Sequence, residues 1–292
     1  MAMDADPGKL SIVATPIGNA RDMSPRGTQI LQDADLIAAE DTRRSMVLLN
    51  LIGVRNKLVS NHKFNEYGKA KYFVGELLAG KSVAVITDAG TPCISDPGNE
   101  LIRAAVEAGI EVIGVPGCCA AVTALSVSGF DLTSFQFCGF FPRENAERRK
   151  LLERLRRSDT RTFVFYESPK RIMELLDFLI EAGADCRLCL CNDLSKLHER
   201  SYRGTPAQVK AQLEDKGRWD KGEYALVLEA QESWRFTKTE HTVSAEAMLV
   251  DAMVAGSLNA KDAVAAVLAD ENNSYSKNEL KAAALNLKKL FS

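Results

Sequence analysis

The sequence lacks the long apolar run that a membrane-spanning helix requires. No stretch of the 292 residues approaches ~20 uninterrupted apolar side chains, and the first ten residues carry two aspartates but no apolar core of a signal peptide. Charge of one sign is also missing, because 37 basic and 39 acidic residues leave a net charge of −2. We therefore expect a soluble, cytoplasmic protein without general affinity for nucleic acid, so that any RNA contact comes from a local patch.

The seven cysteines do not make a disulfide framework, because their number is odd and they are scattered along a long chain. Cys186 and Cys189 have the CxxC spacing of metal ligands. Further candidate ligands follow at Cys191, Asp193 and His198. The segment RLCLC, however, is typical of a buried strand whose cysteines act as small apolar residues, and no second CxxC completes a four-ligand site. We therefore expect a reducing compartment and no metal.

Short apolar runs alternate with helical patterns over the first 130 residues, whereas the dinucleotide-binding pattern GxGxxG is absent. The expected strands are residues 10–15, 34–40, 81–88 and 110–117. Between them, apolar residues recur at spacings of three and four. The start signals of the intervening helices are Ser24, Asn65 and the pair Pro97-Gly98. This alternation predicts a parallel sheet that is buried on both faces.

A second set of strands and helices begins near Phe135, and the pattern becomes purely helical after Glu232. The later strands are expected from Phe135 and at 161–167, 186–193 and 222–230, with helices at 143–157, 169–182, 205–216, 244–256, 259–271 and 276–290. Gly256 is expected to cap the end of the first C-terminal helix, and Ser276 the start of the last. The fold class is therefore α/β, with two tandem α/β domains around a cleft and a small all-helical appendix that resembles a helix-turn-helix. The expected domains are 1–132, 133–235 and 236–292.

Three sharp turns follow strands of the first sheet, at residues 15–19, 87–98 and 115–121. The carboxyl edge of a parallel sheet is where open α/β folds bind ligands. A single turn of this kind is usually structural, because Gly and Pro are what a tight turn needs. Three turns on one edge leave the structural and the ligand-binding interpretation equally open.

Six segments in order carry a family resemblance. They are TPIGN, LIAAEDTR, ITDAGTPCISDPG, VPGCCAAVTALSVSG, FYESPKRI and GEYALVLE. Together they resemble the tetrapyrrole-methylase-like (class III) S-adenosylmethionine methyltransferases. Within that family they are most similar to the branch that methylates the ribose 2'-hydroxyl of a decoding-site cytidine in small-subunit ribosomal RNA. The resemblance runs from about Lys9 to Glu229, and it implies S-adenosyl-L-methionine as cofactor, small-subunit ribosomal RNA as partner and a homodimer.

The resemblance also implies which residues contact the cofactor. Carried over by motif, they are Pro16, Asp88, Ala89, Gly90, Ile94, Ser95, Cys119, Ala120, Tyr166, Glu167 and Leu194. On this basis Gly90→Val is expected to abolish cofactor binding with little loss of fold. Two departures are visible, because Asn192 and Asp193 stand where the family usually has Arg and Glu, which puts an ion pair there in doubt.

Methyl transfer to a hydroxyl benefits from a base, or from a cation that stabilises the developing oxyanion. Candidate residues of these types follow two of the expected strands. They are Glu40, Asp41 and Arg43 after one strand and Lys170 after another. The alternative is that Glu40-Asp41 caps the helix beginning at Thr42.

The segment 142–171 holds ten Arg or Lys residues and five acidic ones, which favours an RNA-facing role. The expected contacts are Arg148, Arg149, Arg156 and Arg157. The alternative is a solvated amphipathic helix with its leucines inward.

Two other functions remain open. One is a tetrapyrrole (porphyrin-precursor) C-methyltransferase, which would leave the C-terminal helices without a purpose. The other is a non-catalytic, ribosome-associated RNA-binding protein, against which the intact glycine turns count.

Overall fold

The structure, a computed structural model, describes residues 7–62, 66–217, 219–235, 244–270 and 275–290. These residues belong to two compact units, Met1–Trp234 and Arg235–Ser292, each of which is described by itself.

The first sheet of the larger unit is parallel throughout. In chain order its strands are β1 (Leu10–Val13), β2 (Leu36–Ala39), β3 (Leu58–Ser60), β4 (Val83–Ile86) and β5 (Val112–Val115), and their order in the sheet is β3-β2-β4-β1-β5. Four helices connect the strands: α1 (Pro25–Asp33), α2 (Thr42–Leu51), α3 (Glu66–Leu78) and α4 (Asn99–Glu107). The α/β fold class expected from the alternating pattern is therefore confirmed.

Successive residues of these strands enter two different cores, because side chains along a strand point to alternate faces. Leu36 and Ala38 pack with Phe73 of α3 and Leu101 of α4. The neighbouring strand residues, such as Ile37, lie on the other face with α1 and α2. A strand that is covered on both faces needs a continuous apolar run, which is what the sequence shows.

The second sheet is mixed. Its strands are β6 (Phe135–Phe140), β7 (Thr162–Glu167), β8 (Cys186–Asn192), β9 (Arg200–Gly204) and β10 (Tyr224–Ala230), in the order β6-β7-β10-β8-β9. Only β6 and β7 are parallel, and the other neighbouring pairs are antiparallel. The helices of this part are α5 (Ala120–Ser128), α6 (Asn145–Arg157), α7 (Ile172–Glu181) and α8 (Pro206–Lys216).

Helix α5 joins the two sheets. It leaves the carboxyl end of β5 in the first sheet, but its Ala124 and Leu125 pack against Val164 and Val227 of the second sheet. Helices α6, α7 and α8 cover the opposite face of that sheet. The domain boundary expected at residue 132 lies just after the end of α5. The division of the larger unit into two domains at this position remains a prediction.

Several helix starts follow from their capping residues. Ser24 Oγ accepts a hydrogen bond from Gly27 N–H at 3.0 Å before α1, and Thr205 forms a capping box with Gln208 before α8. Gly98 directly precedes α4, whereas the start signal at Asn65 lies outside the described residues.

Two short strands were not expected from the sequence. β3 has only three residues at the edge of the first sheet, and β9 carries the polar sequence RSYRG at the edge of the second. An edge strand has a neighbour on one side only, so its pairing leaves little trace in an apolar pattern.

The CxxC pair lies on β8 with its members facing opposite ways. Cys186 belongs to the core beneath α6, α7 and α8, whereas Cys189 and Cys191 belong to the core beneath α5. Residues three apart on a strand point to different faces, so this pair is not arranged to share a metal ion.

The smaller unit contains α9 (Ala245–Gly256), α10 (Ala260–Leu268) and α11 (Lys277–Leu290) around a core that includes Leu249 and Leu280. Ser276 caps α11 as expected, because its Oγ accepts from Glu279 N–H at 3.4 Å while Glu279 accepts from Ser276 N–H at 2.8 Å. Gly256 was expected to cap α9, but it is the last helical residue, and the left-handed cap position belongs to Ser257, with φ of 49°.

Candidate functional site

A cleft of about 760 Å³ lies within the larger unit, at the carboxyl edge of the first sheet. One wall is formed by the segments that follow β1, β2, β4 and β5, and the other by residues at the ends of β6 and β7, after β8 and at the start of β10. Its volume is in the range of small-molecule sites.

The three sharp turns form one hydrogen-bonded edge of this cleft. Thr15 and Gly90 exchange two backbone hydrogen bonds of 2.9 and 3.0 Å, and Thr15 Oγ1 donates to Thr87 O at 3.1 Å. Thr91 Oγ1 donates to Cys118 O at 3.0 Å, which ties the second turn to the third. Each turn therefore fixes the position of the next.

Most of the residues implied by the resemblance line this cleft. They are Pro16, Asp88, Ala89, Ile94, Ser95, Cys119, Ala120, Tyr166, Glu167 and Leu194. They come from both walls, so the fold brings together segments as far apart in the chain as residues 16 and 194.

Gly90 is the implied contact that does not line the cleft. It is buried behind the edge, and its φ of 87° lies in the left-handed region that a β-branched residue avoids. Valine there would strain the turn and the Thr15 pairing. The expectation that Gly90→Val spares the fold is therefore corrected, and that variant does not test cofactor contact.

Tyr166 and Glu167 point to different faces of β7. The Tyr166 hydroxyl accepts from Ala121 N–H at 3.1 Å at the start of α5, and burial raises the pKa of Tyr166 to about 12. The Glu167 carboxylate accepts from Ser168 N–H and from Arg171 Nη2, each at 2.6 Å. Burial raises the pKa of Glu167 in spite of that ion pair.

Three carboxyl groups from two segments meet on the first wall. Thr87 Oγ1 donates to Glu40 Oε2 at 2.6 Å, and Asp88 and Asp96 also line the cleft. Burial and the neighbouring Glu40 raise the pKa of both aspartates. Asp88 Oδ2 accepts from Arg44 at 2.9 Å, whereas its buried Oδ1 has no partner among the described residues. That oxygen is available to a hydrogen-bond donor of a ligand.

Thr87, Asp96 and Arg44 were not singled out by the sequence reasoning. Asp96 lies in the SDPG motif, and Arg44 directly follows the EDTR motif. The family motifs therefore offered a signal for both residues. Their contacts with Glu40 and Asp88 depend on how the chain folds.

Of the four candidate catalytic residues, only Glu40 lines the cleft. Asp41 caps α2, because Asp41 Oδ1 accepts from Arg43 N–H at 2.9 Å. The Arg43 side chain also donates to Asp41 and holds the pKa of that carboxyl at about 2. Lys170 is exposed in the turn after β7. In the structure, Asp41 therefore has the helix-capping role that was the alternative to a catalytic one.

Asn192 and Asp193, which depart from the usual family sequence, each contact a lysine. Asn192 accepts from Lys216 Nζ, and Lys196 Nζ lies 2.8 Å from Asp193 Oδ1 and 2.9 Å from Glu223 Oε2. An ion pair thus exists at Asp193, within the loop that carries Leu194 into the cleft.

That loop is packed closely against the first turn. A Cβ at Gly18 would lie 2.5 Å from Lys196 Cγ and 3.0 Å from Leu194 O, and Ser195 Oγ donates to Asp22. The two walls of the cleft are therefore in direct contact at one end, where glycine is required by space.

The arginines of α6 have different environments. Arg148 is 2% exposed: its guanidinium donates to Pro142 O at 2.9 Å and pairs with Glu174 at 2.8 Å. Arg156 donates to Trp234 O at 2.7 Å, whereas Arg149 and Arg157 are exposed. Arg148 therefore does not fit the phosphate-binding role expected from the sequence, because its side chain is already engaged in the interior.

The segment Gly75–Ser82 reads GELLAGKS and matches the letters of the phosphate-loop pattern GxxxxGK[ST]. A phosphate loop runs from a strand into a helix, so that backbone N–H groups at the helix start face the phosphate. Here α3 ends at Leu78 and β4 begins at Val83, which is the reverse order. We therefore assign no phosphate site to this segment.

Within the described ranges, no group of His, Cys, Asp or Glu side chains is arranged to hold a metal ion. No helix in the described part of the chain is long and apolar enough to cross a membrane.

Comparison with known proteins matches residues 9–210 to the family of Tetrapyrrole (Corrin/Porphyrin) Methylases. Among curated proteins, the chain is 36% identical over 278 residues to the ribosomal RNA small subunit methyltransferase I of Escherichia coli O157:H7, covering 95% of this chain and 94% of that protein. It is 42% identical over 229 residues to the protein of the same name from Halalkalibacterium halodurans, covering 77% of this chain and 76% of that protein.

Solved structures show the same fold at low sequence identity. The uroporphyrin-III-C-methyltransferase of Thermus thermophilus is 21% identical, with a TM-score of 0.53, over 76% of this chain and 94% of that chain. A structure of this Thermus enzyme in complex with S-adenosyl homocysteine is 16% identical, with a TM-score of 0.52 and coverage of 76% and 97%.

Ala89 offers a test of the cleft without the backbone strain at Gly90. It is exposed, it lines the cleft and its φ is not left-handed. We expect Ala89→Val to weaken S-adenosylmethionine binding by about 1–3 kcal/mol, because two added methyl groups occupy ligand space. Isothermal titration measures the affinity, and the midpoint temperature of thermal unfolding should stay at the parent value. Ala207→Val, on exposed α8, is the matched control. Parent affinity in Ala89→Val would contradict the site.

Proposed function

Because the chain belongs to the tetrapyrrole methylase family, we propose that it is an S-adenosylmethionine-dependent methyltransferase acting on the ribose 2'-hydroxyl of a cytidine in the decoding region of small-subunit ribosomal RNA. The observation that carries the proposal is that one cleft gathers the motif residues of both walls. The names of the relatives at 36–42% identity support RNA as the substrate.

The residues of the cleft fit the cofactor. Pro16, Ala89 and Ala120 give small side chains where the backbone must approach a ligand, and the unpartnered Asp88 Oδ1 is an acceptor for a ligand hydroxyl or ammonium group. Tyr166 and Leu194 provide the apolar contacts of the opposite wall. When bound, S-adenosylmethionine supplies an electrophilic methyl group on a sulfonium.

The protein must orient the ribose hydroxyl and accept its proton. We assign the proton acceptor to Glu40, the one candidate base from the sequence that lines the cleft. The hydrogen bond from Thr87 Oγ1 fixes its carboxylate on one side. Asp88 and Asp96 place two further carboxyl groups on this wall, and burial and the nearby Glu40 raise the pKa of both. A raised pKa favours the protonated form, whereas positive charge that enters the cleft favours the ionised form of these groups.

A porphyrin precursor is the alternative substrate. The solved structures of tetrapyrrole enzymes share the fold at 15–21% identity, which does not favour that substrate for this chain. Radiolabel transfer from S-adenosylmethionine to isolated small subunits, run beside transfer to a tetrapyrrole precursor, decides between them. Label only on the tetrapyrrole overturns the RNA proposal. Cofactor binding without transfer to either would favour a non-catalytic RNA-binding protein.

Glu40→Gln removes the proton acceptor and retains its shape and its bond from Thr87. We expect kcat on small subunits to fall by roughly 10²–10⁴-fold, the usual contribution of a general base. Isothermal titration should show unchanged cofactor affinity. Asp41→Asn is the matched control, because Asn caps a helix as well as Asp does. The assignment fails if Asp41→Asn loses as much rate or if Glu40→Gln loses none.

Phosphate contact is proposed for the exposed side of α6. Arg149, Arg154 and Arg157 are exposed there, while the leucines of α6 and Arg148 face the core. Arginine forms bidentate hydrogen bonds with phosphate, and such contacts position an RNA without reading its sequence. The C-terminal unit, Arg235–Ser292, is proposed to orient the enzyme on the folded ribosomal subunit.

Reversing Arg149 and Arg154 to Glu should raise the Michaelis constant for small subunits about tenfold or more at low salt. It should also reduce the slope of log affinity against log salt concentration by the amount that corresponds to about two phosphate contacts, because each contact releases counterions on binding. Lys57→Glu with Lys71→Glu, at exposed positions outside the cleft, gives the same charge change as a control. Equal effects of both pairs would show a general charge effect and no RNA surface on α6.

A homodimer in the cytoplasm is proposed as the working form. Symmetric pairing is the commonest assembly of soluble proteins, and α2 exposes Met46 at 46%, whereas its exposed Val47 and Leu51 line the cleft. Ribosomal subunits, the proposed substrate, are cytoplasmic. Light scattering at micromolar concentration should return twice the 31.9 kDa of one chain. A single-chain mass would overturn the dimer.

A further inference from the structure

We propose that Phe140 is the stacking platform for the nucleobase of the target nucleotide, an inference that rests on the RNA methyltransferase function proposed above. Phe140 is the last residue of β6, it lines the cleft, and its side chain is 57% exposed. Ligand sites are lined mainly by apolar and aromatic side chains, so an exposed ring that lines the cleft is suited to ligand contact. The family motifs quoted from the sequence do not include it.

A β-bulge directs this ring to the cleft side of the sheet. Phe137 pairs with Val164 and Phe140 with Tyr166, so three residue steps on β6 correspond to two on β7. The extra residue lets Phe137 and Phe140 share one face, whereas an unbroken strand would turn them to opposite faces. Gly139, with φ of 68°, supplies the bulge, and a Cβ there would meet nothing within 4 Å. Glycine is therefore favoured here because of its backbone conformation, since the surroundings would leave room for a side chain.

The ring is held in place from one side. Phe140 and Tyr166 are in a T-shaped contact with centroids 5.8 Å apart, and Phe137 contacts the same tyrosine at 5.2 Å. Tyr166 is itself fixed by the hydrogen bond from Ala121 N–H. A ring that is already ordered loses little conformational entropy when a ligand stacks on it.

A nucleobase is the occupant that the chemistry of the cleft favours. The ribose must bring its hydroxyl to Glu40 on the first wall, so the attached base remains within the same cleft, whose second wall presents Phe140. Enzymes that modify RNA bind unstacked bases on aromatic side chains, because every base has a π face. Stacking of this kind tolerates any base, so Phe140 positions the nucleotide and leaves its identity to other contacts.

The test compares Phe140→Ala, Phe140→Trp and Phe135→Ala in methylation of small subunits. Phe135 lies on the same strand and is 48% exposed, but it does not line the cleft, which makes it a matched control. We expect Phe140→Ala to lower kcat/KM by a factor of about 5 to 150, the range that one base–aromatic stack contributes. The loss should appear mainly in KM. Phe140→Trp should restore activity, and Phe135→Ala should match the parent.

Two further measurements separate the alternatives. Isothermal titration with S-adenosylmethionine should give parent affinity for Phe140→Ala, and light scattering should give the parent mass. Reduced cofactor affinity would show that the ring contacts the cofactor, and a changed mass would show that it contacts a second copy; either result overturns the proposal. Parent activity in Phe140→Ala overturns it as well. If the parent protein itself transfers no label to subunits, the proposed function fails and this inference fails with it.

Discussion

The paired backbone hydrogen bonds between Thr15 and Gly90 hold the first two turns of the cleft together, and the remaining site is built outward from that pair. Because Gly90 adopts a φ of 87°, the turn after β4 can return to meet the turn after β1. The second turn then places Thr91 beneath the third, through its bond to Cys118 O. The shape of this wall therefore depends on main-chain geometry more than on any one side chain.

The acidic wall has few cations to balance it. Glu40, Asp88 and Asp96 lie together, and Arg44, whose side chain is 72% exposed, is the cation paired with Asp88. Buried carboxyl groups with raised pKa values mark sites where a ligand supplies the missing donor or charge. The opposite wall presents the rings of Phe140 and Tyr166 beside the charged groups of Glu167 and Lys196, so the cleft offers a stacking contact on that side in addition to the electrostatic contacts.

Arginine serves two purposes on α6. Arg148 is enclosed by α7 and neutralised by Glu174, where it links the start of α6 to the rest of the second core. Arg149, one residue further, is exposed to solvent. A cluster of basic residues in a sequence therefore mixes structural and surface cations, and the 100° step of a helix separates them.

The sequence by itself determined the α/β class and most of the strands and helices, because continuous apolar runs, helical periodicity and Gly-Pro turns are local signals. The segments that line the cleft were indicated by the family resemblance. The sequence also determined the capping of α11 by Ser276, which depends on four neighbouring residues. Tertiary structure alone decided the rest. The edge strands β3 and β9 exist through pairing with distant strands, Arg148 is buried by contact with another helix, and Phe140 faces the cleft because one bulge changes the alternation of β6. Each of these depends on contacts between segments distant in the chain, which local patterns do not encode.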